Sequence, residues 1–290
     1  MATLASATLD LARILGNVVE GAATAGATTY LRDSNLPRTA PPTDAYKLGT
    51  IWFKSCTETA LNGLTAITTA WVTADYQYTF AAQTKTITAG DTYAFVDKDW
   101  PRDVLRRAVN EAMATLGGLP DEYTLATFVT VADQMTYTLP TGVYNVKKVE
   151  VASSTTSPYY YVPNYHWDEI DGNIRFHEGH AYGTAGYLIR LTYEVQPTEV
   201  TTDTGSISSY YHPDLLKWTA AVSALMWKLG ANTMADGVPI VQSKLAYATQ
   251  MAEMMKQRHR LPHVARAPKL SMWLTPNGIN ADDEPNKVHL

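Results

Sequence analysis

One cysteine in 290 residues, Cys56, excludes an intrachain disulfide framework and any cysteine-based zinc site. A lone thiol of this kind reads as a small buried apolar side chain. Charge is scarce at 18%, against about a quarter in ordinary domains. No run approaches the roughly 18 apolar residues of a membrane-spanning helix, so no membrane is expected among the partners. No basic stretch precedes an apolar run at the N-terminus, and Asp10 and Glu20 come early. That pattern reads as a chain without a secretory signal, made in a reducing cytoplasm. Phosphate-cradling loops of the G-x-x-x-x-G-K-[ST] and G-x-G-x-x-G kinds are missing, and Ser206, Ser208 and Ser209 sit in no nucleophile elbow. Nothing pools reactive side chains. The expectation is a non-enzyme without cofactor or metal, built for assembly.

The charge that is present is uneven. Residues 254–290 carry six basic against three acidic side chains, and residues 1–253 carry 17 against 25. An acidic body is a poor non-specific DNA binder, because duplex affinity comes mostly from cations that release counterions. The basic end mixes Arg258, Arg260, Arg266 and Lys269 with Leu261, Leu270 and Trp273. Such an end could bind phosphate, dock on an acidic protein surface or simply be solvated, and apolar anchors among the cations rank docking first. Pro262 and Pro268 exclude helix beyond about Arg260, so this end reads as an extended segment that a partner orders.

Periodicity sets out the rest. Residues 3–20 fit a helix capped by Thr3 or Ser6, and the prolines between Leu36 and Pro42 read as a linker. Short β-prone runs follow at Thr50–Phe53, Ala70–Thr73, Tyr76–Phe80, Lys85–Thr88 and Thr92–Val96. Asp99 reads as the cap of a helix to Leu116, with Pro101 in its first turn and Leu105, Val109, Ala112 and Leu116 on its buried stripe. Alternation returns over 124–195, in Gln134–Leu139, Val143–Val151, Asn173–Phe176 and Tyr187–Val195, as an antiparallel sheet with one wet face. Two helices then open at Pro213 and Pro239 and fold back as a hairpin. Leu215, Trp218, Val222, Leu225 and Leu229 line the first, with Trp227 as a further packing or ring-contact residue. Val241, Leu245, Ala248, Ala252 and Met255 line the second.

Three groups invite sharper readings. His177-Glu178-Gly179-His180 suggests a metal site, but its histidines are three apart in a Gly-rich turn, and the helical zinc motif needs four; a loop hydrogen-bonding role or plain exposure fits better. His166, Asp168, Glu169 and Asp171 read as a solvated turn before Gly172. The helix pair is no helix-turn-helix, since its connection exceeds the usual three or four residues.

This order of parts resembles the head-to-tail adaptor (connector) proteins of tailed double-stranded DNA bacteriophages. The likeness is carried by the β insert after an N-terminal helix, Arg106-Arg107-Ala108-Val109-Asn110-Glu111-Ala112, Asp133…Tyr137-x-Leu139-Pro140, Val146-x-x-Val149-x-Val151 and His212-Pro213-Asp214-Leu215-Leu216. It implies a virion protein of the neck at the head–tail junction, made in the host bacterial cytoplasm. Its copies would form a ring, usually of twelve, that docks on the portal protein and meets a tail or neck (stopper or terminator) protein. Double-stranded DNA would pass through the lumen without sequence-specific binding. The arm reaching the portal would comprise Arg258, Arg260, Leu261, Arg266, Lys269, Leu270, Trp273 and Leu274.

The expected fold is α+β. Residues 1–36, 97–120 and 210–260 form a small helical bundle, 37–96 an inserted small β-unit, 121–209 an antiparallel β-domain, and 261–290 an extended docking tail. Two other functions compete: a tail-completion or fibre-anchoring virion protein, and a carbohydrate-binding β-protein suggested by 18 Tyr and 7 Trp.

Overall fold

A computed structural model describes residues 2–16, 18–36, 42, 44–143, 145–154, 156–162, 166–177, 185–231 and 237–259. Among them are four helices and three antiparallel sheets, the α+β class expected. They fall into two compact units, one of residues 1–118 with 196–262 and one centred on 119–195.

In the first unit, α1 (Leu4–Leu15) starts at a reciprocal cap. Ser6 N–H donates to Thr3 Oγ1 at 3.2 Å and Thr3 N–H donates to Ser6 Oγ at 2.9 Å, so two orphan donors are satisfied at once. The helix stops five residues before the expected end. Gly16 takes φ 95°, a left-handed conformation open to glycine, and Val18–Ala22 then pairs as strand β1. Lys244 Nζ donates to the terminal Leu15 carbonyl at 3.1 Å, placing a cation at the negative end of the helix dipole.

Helix α2 (Arg102–Leu116) corrects a second expectation: Asp99 does not cap it. Pro101 occupies the cap position with no side-chain cap bond. A residue before proline is pushed out of the helical region, so no helix begins ahead of Pro101. The Asp99 carbonyl instead accepts from Lys228 Nζ at 3.1 Å.

Helices α3 (Pro213–Ala231) and α4 (Val238–Arg258) form the hairpin. Trp218 packs edge-on against Tyr247, ring centroids 5.6 Å apart. Leu215 and Leu225 are buried as expected, yet Trp218, Val222, Trp227 and Leu229 are only half-buried. The buried face is completed by Leu216, Ala220, Ala221 and Ala224. Helix α3 touches α1, α2 and α4, and small side chains let three neighbours approach one helix.

The sheet of this unit has seven strands: β1, β2 (Ala25–Gly26), β3 (Tyr30–Arg32), β4 (Thr50–Ser55), β5 (Thr65–Val72), β6 (Gln77–Phe80) and β7 (Thr92–Val96). They run in the order β1-β7-β4-β5-β6-β3-β2. One face closes on an aromatic core of Phe53, Trp71, Tyr78, Phe80, Tyr93 and Phe95. Neighbouring rings meet at offset or edge-on angles, such as Trp71–Tyr78 at 4.7 Å, the arrangement that ring quadrupoles favour. Gly49 is required here, because a Cβ would fall 2.4 Å from the Phe95 ring. Strand β4 is buried on both faces, and Trp52 turns away from the aromatic core to donate from Nε1 to Thr8 Oγ1 of α1 at 3.3 Å. The run Lys85–Thr88 is not a strand. Strands β6 and β7 already have neighbours on both sides, and Ile87 alone of that run is fully buried.

Asp91 fixes the turn ahead of β7. Its carboxylate accepts from Thr57 N–H (2.7 Å), Thr57 Oγ1 (2.9 Å), Thr88 N–H (2.8 Å) and Thr88 Oγ1 (3.2 Å). Burial alone would raise its pKa, but these donors together hold it below the ordinary 3.8. The folded state then binds the proton less readily than the unfolded chain. The stability contributed is complete above about pH 4 and is lost as pH falls through the folded value. Asp91→Asn is therefore expected to lower the melting temperature at pH 7, with the gap to wild type closing in melts below about pH 3.

The second unit has strands β8 (Leu119–Val129), β9 (Thr136–Thr138), β10 (Val146–Ala152), β11 (Tyr160–Val162), β12 (Trp167–Ile170), β13 (Asn173–Phe176) and β14 (Leu188–Val195). They form two sheets, β11-β10-β14-β8 and β12-β13-β9, where one sheet was expected. Val149, Val151, Ile189 and Leu191 of the first sheet share a core with Tyr137, Trp167, Ile174 and Phe176 of the second. The Asp133…Tyr137 motif is a turn lock. Asp133 takes φ 60°, and Tyr137 Oη accepts from Val131 N–H at 2.9 Å while donating to the Gln134 carbonyl at 2.9 Å. The expected acidic turn at 166–171 is mostly strand. Glu169 accepts the backbone N–H of Asn145 (3.0 Å) and Val146 (2.7 Å), and Asp168 meets His177 Nε2 at 2.7 Å. Buried Glu150 is held by Arg190 (2.7 Å) and Lys148 (2.7 Å).

Candidate functional site

Helix α4 buries Val241, Ala248, Ala252 and Met255 and leaves much of its girth in solvent. Ile240, Tyr247 and Met254 are 63%, 57% and 46% exposed. Steps of seven residues place all three on one side of an α-helix, since seven residues fall about 20° short of two full turns. Ser243, Lys244 and Gln250 lie between or beside the apolar residues on this side. Met226 of α3 is 61% exposed. Apolar side chains aligned in this way offer a surface that a partner could cover. In the second unit Tyr160 and Tyr161 are exposed on the edge strand β11.

Where the hairpin's two free ends meet, His212 stands just before α3 and His259 just after α4. Their imidazoles stack with centroids 3.5 Å apart and planes 6° apart. Asp214 lies beside them, its Oδ2 3.9 Å from His212 Nδ1. Lys217 pairs with Asp214 and, first among the causes, holds its carboxyl below the ordinary carboxylate value. Desolvation first, then the neighbouring His212 and Arg258, push the His259 pKa below the ordinary imidazole value.

The expected docking residues divide in two. Arg258 is exposed at the end of α4. Arg260, Leu261, Arg266, Lys269, Leu270, Trp273 and Leu274 lie outside the described residues, as do Glu178 and His180 of the weighed metal motif. His177 pairs with Asp168, a local hydrogen-bonding role. Two residues with structural work to do gave no local signal in sequence. Asp203, in the polar loop after β14, accepts from Thr65 N–H (2.9 Å) and Thr65 Oγ1 (2.8 Å) and pairs with Arg106. His259 meets His212 only through the hairpin.

Of the aromatics, Trp52, Trp71, Trp100, Trp167, Tyr78, Tyr93, Tyr137 and Tyr211 are buried. They build cores and are not available to stack on sugars. Among the described residues, no helix is long and apolar enough to cross a membrane. The model of the SU10 adaptor protein family matches residues 77–271. The chain belongs to that family, one of phage head–tail adaptors. No curated protein matches it. The match takes in β6, β7, α2, the whole 119–195 unit, α3 and α4. Membership in the SU10 adaptor family implies a structural, non-enzymatic role.

Proposed function

We propose that this SU10 adaptor is a structural protein of the virion neck. Its copies form a ring, twelve by resemblance to the wider adaptor class, that joins the portal to the tail or the next neck protein and prolongs the DNA channel. The family match over more than half the chain carries the reading. Two physical features support it. The exposed stripe Ile240–Tyr247–Met254 offers mating surface, and ring contacts are heterologous, each protomer presenting one face to a different face of the next. The body's acid excess over residues 1–253 suits a conduit through which DNA must slide, since a cationic wall would bind phosphate. The tail, with Arg266, Lys269 and Trp273, docks on the portal.

Imaging tests this directly. Portal-bearing heads incubated with purified protein are expected to gain a ring of density at the portal vertex. Density placed lower in the tail, or at fibre attachment points, would assign the tail-completion or fibre-anchoring role instead. The buried tryptophans count against a carbohydrate-binding role.

A further inference from the structure

His212-Pro213-Asp214 opens α3, and the fold brings a third metal-ligating side chain, His259, to it. We propose that His212, Asp214 and His259 bind a divalent transition-metal ion of the zinc, cobalt or nickel class, fastening the start of α3 to the end of α4.

Among the described residues these three are the one group of at least three His, Cys, Asp or Glu side chains whose donor atoms converge, all within 4.8 Å of one another. Imidazole and carboxylate are the donor set that such ions accept. Ligand atoms around a tetrahedral zinc stand roughly 3.3 Å apart, given bonds of about 2.0–2.1 Å. The three side chains therefore need to close by only an ångström or so. A metal lies in the plane of each imidazole it binds, and the two rings are now nearly parallel. Binding must splay them. Both residues are partly exposed at helix ends, and neither belongs to the buried core. His212 Nδ1 accepts the Asp214 backbone N–H at 3.2 Å, so His212 either ligates through Nε2 or gives up that bond. Lys217 holds Asp214 Oδ1 and leaves Oδ2 toward the imidazoles. Water completes the coordination.

The consequence is mechanical. A bound ion would tether the last described residue of the α4 end, His259, to the start of α3. The inference does not depend on the ring, and its test needs no virion.

Untagged full-length protein, stripped with a chelator, would be titrated with Co²⁺ and with Zn²⁺. One ion per chain is expected, with visible d–d absorption for cobalt and a rise in melting temperature with zinc. His259→Gln and His212→Ala should each weaken binding at least about tenfold, since even outer-shell partners are worth that much. His212→Ala also alters the start of α3, so Lys217→Gln supplies a variant of opposite sign. Removing that cation should strengthen binding about three- to tenfold, the order expected for a unit charge a few ångströms from the ion at intermediate dielectric. Failure to fold cannot mimic a gain in affinity. Absence of uptake at about millimolar free zinc would overturn the proposal. So would uptake indifferent to His212→Ala and His259→Gln, or Lys217→Gln leaving affinity unchanged.

Discussion

Removing residues 261–290 is expected to abolish joining to portal-bearing heads while leaving the thermal melt of the protein unchanged. The reason for the loss is chemical. The deleted segment holds Arg266, Lys269, Leu270, Trp273 and Leu274, cations interleaved with apolar anchors that suit an acidic, pocketed protein surface. Arginine and tryptophan of this kind are the residues that dominate measured binding energies, at about 2–4 kcal/mol apiece. Loss of several such anchors lowers affinity by more than a hundredfold, enough to remove joining at micromolar protein. The unchanged melt has a separate basis. Among the described residues the last core side chain is Met255 in α4, and the α4 end is closed by its own His259 N–H to Met255 carbonyl bond at 2.8 Å. Joining at the wild-type level would move docking onto the body, where Ile240, Tyr247 and Met254 are the next candidates. A lowered melt would mean the segment belongs to the fold.

The sequence made some of this legible and hid the rest for identifiable reasons. Strands β7 and β13 have the bounds predicted for them, Thr92–Val96 and Asn173–Phe176, β7 as a β-prone run between turn residues and β13 because a strand with one buried face writes its period into a few residues. Helix α3 was located by Pro213 and its leucines, of which Leu215 and Leu225 lie on the inner face, but the small residues of that face were missed. Three adjoining helices select Ala220, Ala221 and Ala224 for close approach, and small residues add little to an apolar pattern. Helix α1 was extended over Val18 and Val19, which sit at helical spacing but are taken by pairing with Val96 and Phe95 across the sheet. Pairing of that range has no local mark. The same holds for the contact surfaces. Family membership was visible in layout, whereas the stack of His212 on His259 joins residues that only the closed hairpin brings together.

Asp203 shows the cost of such a hidden contact, and Asp203→Ala is expected to destabilise the first unit by about 3–5 kcal/mol, the range for breaking a mostly buried charged network. From sequence it is one acid in a polar loop. In the fold its carboxylate, with the side chain 12% exposed, joins elements that are otherwise distant. Oδ2 accepts both donors of Thr65 at the start of β5, and Oδ1 takes Arg106 of α2. Arg102, one turn earlier, donates to Thr65 Oγ1 at 3.3 Å. The Asp203 carbonyl also accepts the Ala5 N–H of α1 at 3.0 Å. Alanine at 203 strands a backbone N–H, a hydroxyl and a guanidinium, and an unmet buried donor costs about 1–3 kcal/mol, more when charged. A domain is stable by only about 5–15 kcal/mol, so a large fraction would go. The control is a double-mutant cycle with Thr65→Ala: if the carboxylate is the shared node, the two losses are strongly sub-additive, with a coupling of about 1–3 kcal/mol in denaturant melts. Additive losses would mean that the loop, the sheet and α2 are held together by something other than this carboxylate.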